Sequence, residues 1–365
     1  MRERNDRRPV LITGGAGFIG TNLAHRLLSA GRRVVIFDNF SRPGVKHNLR
    51  ALRAAHGDET EVLAADVRDE PALQRAVAAC ATVYHLASQP CADPDAPGPL
   101  VQFETNARGT LNLLEAIRCA AEPPALVYAS TSRVYGPLDH VSLREAGDRY
   151  EPEDPVLLGS GISESHPLDF YGLNGCSKGA ADQYVLDYAR NFGLAATVFR
   201  LSCVYGPFQA GAPGRGWVAE CLSRVLRREA VTIYGDGRQV RDLLYVDDVV
   251  EALLLAEEKI GLLQGRAFNV GGGPERTLSP RELVQLIGEL AGEPPRVAYE
   301  PWRPADQRYY VSDTSLFSTL AGWHPRTAVR AGVESLYRWM RETAGSALDS
   351  ERALLLAIAG SDARG

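Results

Sequence analysis

The first two hundred residues alternate short apolar runs with longer stretches of helical periodicity, and few folds accommodate that rhythm. The runs at 9–13, 33–38, 61–65, 82–86, 125–130 and 195–201 read as strands, and the stretches 18–30, 70–79, 101–120 and 176–191 as helices. Repeated strand–helix–strand units need right-handed crossovers, and the sheet they build is parallel and covered on both faces. After about residue 200 the rhythm becomes irregular: a Gly/Pro-rich segment at 206–216 precedes a helix near 217–228 and a strand–turn at 231–237. A strand at 268–270 and a helix at 280–291 follow. The expected fold class is α/β, a doubly wound parallel sheet with a smaller interleaved C-terminal lobe. The pattern assigns a dinucleotide-binding domain to 8–200, with sheet elements returning near 240–272. A substrate-binding lobe takes 201–239 and 273–344, and a separate tail 345–365.

The first strand runs into Gly14-Gly15-Ala16-Gly17-Phe18-Ile19-Gly20, which opens a helix. Gly14, Gly17 and Gly20 let the chain turn tightly and bring backbone close to a pyrophosphate, and the helix N–H groups at Phe18 and Ile19 then face that anion. The second strand ends in Asp38, at the distance expected of a carboxylate that accepts bonds from an adenosine ribose. Such an acid repels a 2′-phosphate, so the combination makes the sheet a Rossmann sheet and the cofactor NAD; Arg42, close by in sequence, keeps NADP open. Asp66 ends the third strand and is either an adenine contact or a helix N-cap. His85-Leu86-Ala87 ends the fourth strand at the ligand-binding edge, and His85 itself reads as a satisfied buried histidine.

Composition removes other classes. The chain has 365 residues, 45% hydrophobic and 23% charged, which argues against disorder, and its formal net charge of −5 gives no support for a nucleic-acid or anionic-membrane surface. The apolar run 353–359 is too short to cross a bilayer, and no signal-peptide core follows the N-terminal arginines. Six cysteines lack any C-x-x-C pair, so no metal or redox site is expected; most read as small buried hydrophobes in a reducing compartment. The expected location is the cytoplasm.

With Gly14–Gly20, Asp38, His85-Leu86-Ala87 and Asn106 stand Ser130-Thr131-Ser132-Arg133-Val134-Tyr135-Gly136, Gly175-Cys176-Ser177-Lys178, Arg200 with Tyr205-Gly206, Gly235 through Asp242, and Phe268-Asn269-Val270-Gly271. As a set, from about Val10 to about Met340, they resemble the extended short-chain dehydrogenase/reductase family, whose NAD-dependent epimerases and dehydratases act on sugar nucleotides. Asp38-Asn39-Phe40-Ser41-Arg42, Gly109 through Ala116, Gly175 through Tyr184, Gly216-Trp217-Val218 and Asp306-Gln307-Arg308 are most similar to its CDP-paratose 2-epimerase (CDP-tyvelose epimerase) group. The resemblance implies an isomerase of carbohydrate biosynthesis that oxidises a nucleotide-linked sugar to a keto sugar and returns the hydride to the other face. It implies bound NAD, cofactor contacts at Asn39, Ser41, Asp66, Val67, Leu86 and Ala87 beside the glycines and Asp38, and substrate contacts at Asn106, Arg133, Arg241, Arg303 and Arg308. It also implies a homodimer paired through the helices at 101–120 and 176–191. A 4-epimerase, dehydratase or decarboxylase is the sibling reading. Ser132-Arg133, where a dehydratase has an acidic pair, weighs against dehydration.

Oxidising a carbinol requires a hydride acceptor, a base for the hydroxyl proton and a donor that positions the oxygen. The family pattern gives the positioning role to Thr131, beside Ser132, and places Lys178 at the nicotinamide ribose. The base departs from the pattern: the motif is Tyr-x-x-x-Lys, and four residues before Lys178 stands Asn174, preceded by Gly172-Leu173 in place of Ser-Pro. An amide carries no proton that titrates in the useful range. Three readings follow. A desolvated Lys178 acts as base; Tyr171 or Tyr135 reaches the hydroxyl; or the protein binds NAD and sugar nucleotide without turnover, as a sensor would.

Overall fold

The computed structural model describes residues 8–42, 44–89, 98–209, 216–303 and 306–343. Seven strands form the central sheet: β1 (Val10–Thr13), β2 (Val34–Asp38), β3 (Thr60–Ala64), β4 (Thr82–His85), β5 (Ala125–Thr131), β6 (Ala196–Leu201) and β7 (Ala267–Val270). Their order is β7-β6-β5-β4-β1-β2-β3, and every pairing is parallel. The chain winds outward from β1 to β3 and then crosses back to place β4 on the other side of β1. The carboxyl ends of β1 and β4 therefore flank the crevice where a doubly wound sheet binds its ligand.

Strand alternation supplies both cores. Val10 and Ile12 of β1 join one buried cluster with Leu23 and Leu27 of the helix Phe18–Ser29 and Val249 and Leu253 of the helix Val246–Glu258. Leu11 points the other way, into a cluster with Leu73 and Val77 of Glu70–Ala78, Leu113 and Ile117 of Gly109–Arg118, and Val185 of Gly172–Asn191. Successive side chains go to opposite faces, so the buried strands read as unbroken apolar runs. Each fully buried Val, Leu or Ile contributes about 1.5–3 kcal/mol.

Three helices differ from expectation. Val45–His56 is not legible as a helix because only Val45, Asn48 and Leu52 are buried on its inner face. The stretch expected as one helix over 101–120 is Pro99–Gln102, a π-helical turn Phe103–Arg108, and Gly109–Arg118. The helix expected from 176 starts at Gly172. Its first turn carries two glycines, poor helix formers, yet Gly175 is called for by a close approach: a Cβ there would stand 3.0 Å from the Arg133 carbonyl.

Beyond β6 the small lobe has its own sheet, in which Val240–Tyr245 pairs with Cys203–Tyr205, Thr277–Leu278 and Tyr309–Tyr310. Of the 240–272 stretch, β7 joins the central sheet and Val240–Tyr245 stays in the lobe. A third core gathers Leu222 of Trp217–Leu226, Leu283 and Ile287 of Pro280–Ala291, and Val333 and Leu336 of the helix at 329–343. Pro280–Ala291 begins where expected, because Ser279 and Glu282 form a reciprocal capping box and Pro280 opens the first turn. The tail at 345–365 lies outside the described residues. No helix among the described residues is long and apolar enough to cross a membrane.

Candidate active site

A cleft of about 520 Å³ opens at the carboxyl edge of the sheet. Gly14, Gly17, Phe18, Ile19 and Gly20 line one wall, Asp38, Asn39, Ser41, Asp66 and Val67 one end, and Leu86 and Ala87 the crevice between β1 and β4. Thr131, Asn174 and Lys178 line the end beside β5 and β6. The glycines are sterically required. Gly14 has φ +67°, and a Cβ there would stand 2.8 Å from the Ala87 backbone across the crevice; one on Gly20 would stand 2.5 Å from the Gly14 carbonyl.

The Asp38 carboxylate is fixed by the Ala16 and Phe40 backbone N–H groups, which donate to it at 3.2 and 2.9 Å. Burial nevertheless raises its pKa. Asp66 accepts a bidentate pair from Arg68 at 2.8 Å each and a bond from Asn39 at 2.7 Å; Arg68 first of all holds its carboxyl down to about 2. It does not cap a helix, a role taken by Asp69 for Glu70–Ala78. His85 is fully buried, with Thr13 Oγ1 at 2.6 Å from Nδ1 and Thr110 Oγ1 at 2.9 Å from Nε2, and burial lowers its pKa to about 3. It is the satisfied core histidine the sequence indicated.

At the other end, Thr131 closes β5, and its hydroxyl accepts the Arg133 backbone N–H at 3.3 Å. Asn174 and Lys178 lie four residues apart on Gly172–Asn191, hence on one face. Lys178 is 5% exposed; its Nζ donates to the Ala129 carbonyl and lies 4.6 Å from the centre of the Tyr128 ring. Burial pulls its pKa down to about 7, against the opposing charge of Asp182. Asp182 is in turn committed to Arg200 through bonds of 3.0 and 3.1 Å and to Ser130 Oγ at 2.9 Å.

The structure withdraws both tyrosines from the site. Tyr135 is buried, donates to Asn269 Oδ1 at 2.8 Å and accepts from Arg200 at 3.1 Å; burial pushes its pKa up to about 12. Tyr171 is 52% exposed and does not line the cleft, because it stands as the N-cap of its helix. Ser132 is buried in the turn Ser132–Tyr135 and also stays out of the lining. Asn106 is not free for substrate: its carbonyl oxygen accepts the Gln89 N–H at 2.7 Å, and its Nδ2 donates to Gln89 O and Ser177 Oγ at 3.0 Å each.

Among the arginines, Arg133 and Arg241 converge on Asp306, at 3.5 and 2.9 Å, and so link the turn after Thr131 to the lobe. Arg303 and Arg308 stack instead over Tyr234 and Trp302, at 3.7 and 5.5 Å from the ring centres. Gln89, Thr105, Leu201, Ser202 and Val204 also line the cleft. No motif marks them; they arrive there through strand order and the π-helical turn.

Residues 10–271 match the NAD dependent epimerase/dehydratase family. The chain belongs to that family. This family member is 37% identical over 337 residues to the CDP-paratose 2-epimerase of Salmonella typhi, covering 90% of this chain and 98% of the relative. Its fold superposes on the UDP-glucose 4-epimerase of Thermotoga maritima, solved with UDP-glucose, at a TM-score of 0.78 and 29% identity, covering 92% of this chain and 99% of that one. The UDP-glucose 4-epimerase of Thermus thermophilus, solved with NAD, gives 0.75 and 31%, covering 91% and 99%. The expected doubly wound fold and the NAD-dependent epimerase family are thus both met.

Proposed function

We propose that this protein epimerises a nucleotide-linked sugar with bound NAD, by transient oxidation to a keto sugar, with a CDP-sugar inverted at C2 as the leading case. The observation that carries the reading is the continuity of one cleft, from a glycine cradle and the Asp38 carboxylate at one end to Thr131 and Lys178 at the other. The cradle fits a dinucleotide, since Gly14 leaves no room for a side chain and Asp38 is held ready by two backbone N–H groups. Gly17 through Ile19 would hold the pyrophosphate, Asp38 the adenosine ribose, and Lys178 the nicotinamide ribose. Bound there, NAD supplies a hydride acceptor and donor.

The chain supplies the proton chemistry. Among the described residues that line the cleft there is no tyrosine, histidine or cysteine, and Lys178 is the titratable side chain beside Thr131. With Thr131 Oγ1 orienting the sugar hydroxyl, neutral Lys178 takes the hydroxyl proton as the carbinol is oxidised. It returns that proton to the same oxygen when the carbon is reduced from the other face. Arg133 and Arg241 would bind the substrate diphosphate, for which guanidinium is the matching fork. Asn174 favours a second reading, binding without turnover, because an amide cannot relay the proton.

The 37% identity to a CDP-paratose 2-epimerase supports CDP and C2. A homodimer is supported by Leu100, Phe103, Tyr184 and Phe192, which stand exposed on the helices at 99–118 and 172–191, Phe192 directly after the second. A reducing, cytoplasmic location fits the free state of Cys80, Cys119, Cys176, Cys203 and Cys221, of which only Cys80 and Cys221 are buried as expected. To test the reading, protein is denatured and its released nicotinamide compound identified, and a panel of CDP- and UDP-hexoses is then followed by NMR for inversion. Bound NAD with an inverted sugar is expected. NAD without inversion or isotope exchange selects the binding protein, and no NAD sinks both.

A further inference from the structure

Two asparagines outside the cleft make the same double contact. Asn22 Nδ2 donates to the Phe18 carbonyl at 2.9 Å and to the Pro207 carbonyl at 2.9 Å. Asn48 Nδ2 donates to the Ala16 carbonyl at 3.2 Å and to the Phe208 carbonyl at 3.1 Å. Each amide thus commits both hydrogens to one bridge, from the glycine-rich turn of the dinucleotide cradle to a turn at 206–209 that lies far along the chain. Asn48 is buried, and its helix presents only two other buried residues.

The bridged turn leads from the cleft toward the small lobe. It leaves Cys203–Tyr205, whose Val204 lines the cleft, and precedes the lobe helix Trp217–Leu226. Phe208 sits at φ +66°, a strained, left-handed conformation for an L residue. Such strain persists only where surroundings over-determine it. Here they do: the Phe208 carbonyl is held by Asn48, and its ring packs on Trp339 of the helix at 329–343, at 5.5 Å between centres.

We propose that Asn22 and Asn48 are positioning residues that couple the dinucleotide cradle to the substrate lobe, so that each ligand tightens the binding of the other. The proposal rests on the NAD and sugar-nucleotide reading above. A pyrophosphate that orders the turn from Gly14 to Phe18 fixes the carbonyls of Ala16 and Phe18. Those carbonyls fix the two amides, and the amides fix the turn from which the lobe departs. Linkage makes the effect reciprocal: a diphosphate that orders the lobe must stabilise the cradle by the same factor.

The test titrates NAD calorimetrically into the full chain, stripped of nucleotide, with and without saturating CDP or UDP as probes. In the wild-type chain the better diphosphate is expected to lower the NAD Kd by about fivefold or more. In the Asn22→Ala/Asn48→Ala double variant that ratio falls to about one, while NAD alone still binds. Asn48→Asp, which keeps the size and loses the donors, behaves as Asn48→Ala. Should the double variant fail to fold, the single variants decide, each losing part of the ratio. Variants that lose thermal stability or NAD affinity but keep the wild-type ratio overturn the proposal, since that is what simple scaffolding would do. A wild-type chain that binds NAD with a ratio of one for both probes overturns the coupling alone. One that binds no NAD overturns the functional reading with it.

Discussion

Asn174 and Lys178 stand one helical turn apart on Gly172–Asn191 and line the same end of the cleft as Thr131. The amide therefore shares the cleft-facing side of this helix with the buried Lys178 amine. Since Lys178 already takes the hydroxyl proton, Asn174→Tyr should change the inversion rate by less than about tenfold, short of the roughly 10²–10⁴ that supplying a missing general base is worth. Lys178→Met should abolish turnover. The measurement is kcat on one sugar nucleotide for the three proteins. A Tyr variant faster than wild type by about 10²–10⁴ would show that Lys178 does not carry the step.

Activity should depend on pH through Lys178. Only the neutral amine accepts a proton, so with burial holding its pKa at about 7 the rate should climb as pH rises through that value. Stability follows the same group. Its folded pKa lies below the ordinary 10.5, so the unfolded chain binds the extra proton between about 7 and 10.5. This residue therefore costs stability below that window, and the cost is relieved as pH rises through it. Denaturant midpoints from pH 6 to about pH 10 should rise for wild type relative to Lys178→Met.

His85 acts with the same sign in the acid range. Burial lowers its pKa from 6.5 to about 3, so on acidification the unfolded chain takes up a proton that the folded chain refuses. Stability from this residue is full above 6.5 and is lost toward 3, at up to about 1.4 kcal/mol per pH unit. His85→Gln should be less stable near neutrality and lose less on acidification, as read by urea midpoints across that range.

Asp182 and Arg200 form a bidentate pair with side chains 0% and 4% exposed. Asp182→Ala leaves a buried guanidinium without its partner, which should destabilise the fold by about 3–5 kcal/mol. Since Asp182 also raises the pKa of Lys178, a folded Asp182→Asn variant should shift the rising limb of the rate profile to lower pH. An unchanged melting temperature for Asp182→Ala would contradict this account.

The fold was legible where one local signal sufficed. Apolar runs gave the strands of the central sheet, and Gly14 to Gly20 with Asp38 gave the cradle, because those residues act through their own backbone geometry. Signals failed where tertiary contact overrode propensity. Gly175 stands in the first turn of a helix because the chain there approaches the Arg133 carbonyl, and Val45–His56 is helical on three buried residues. Asn106 and Tyr135 were expected near substrate from their motifs. Whether a polar side chain is free depends on partners such as Ser177 and Asn269, which only the folded chain brings together.

The chain leaves the sheet after β6, contributes to the small lobe, and comes back to lay down β7 before leaving again. A lobe inserted through two crossings cannot be exchanged as a cassette at a single joint. Retargeting this scaffold to another sugar nucleotide would require paired junctions on either side of Ala267–Val270, or substitutions made one side chain at a time within the existing lobe.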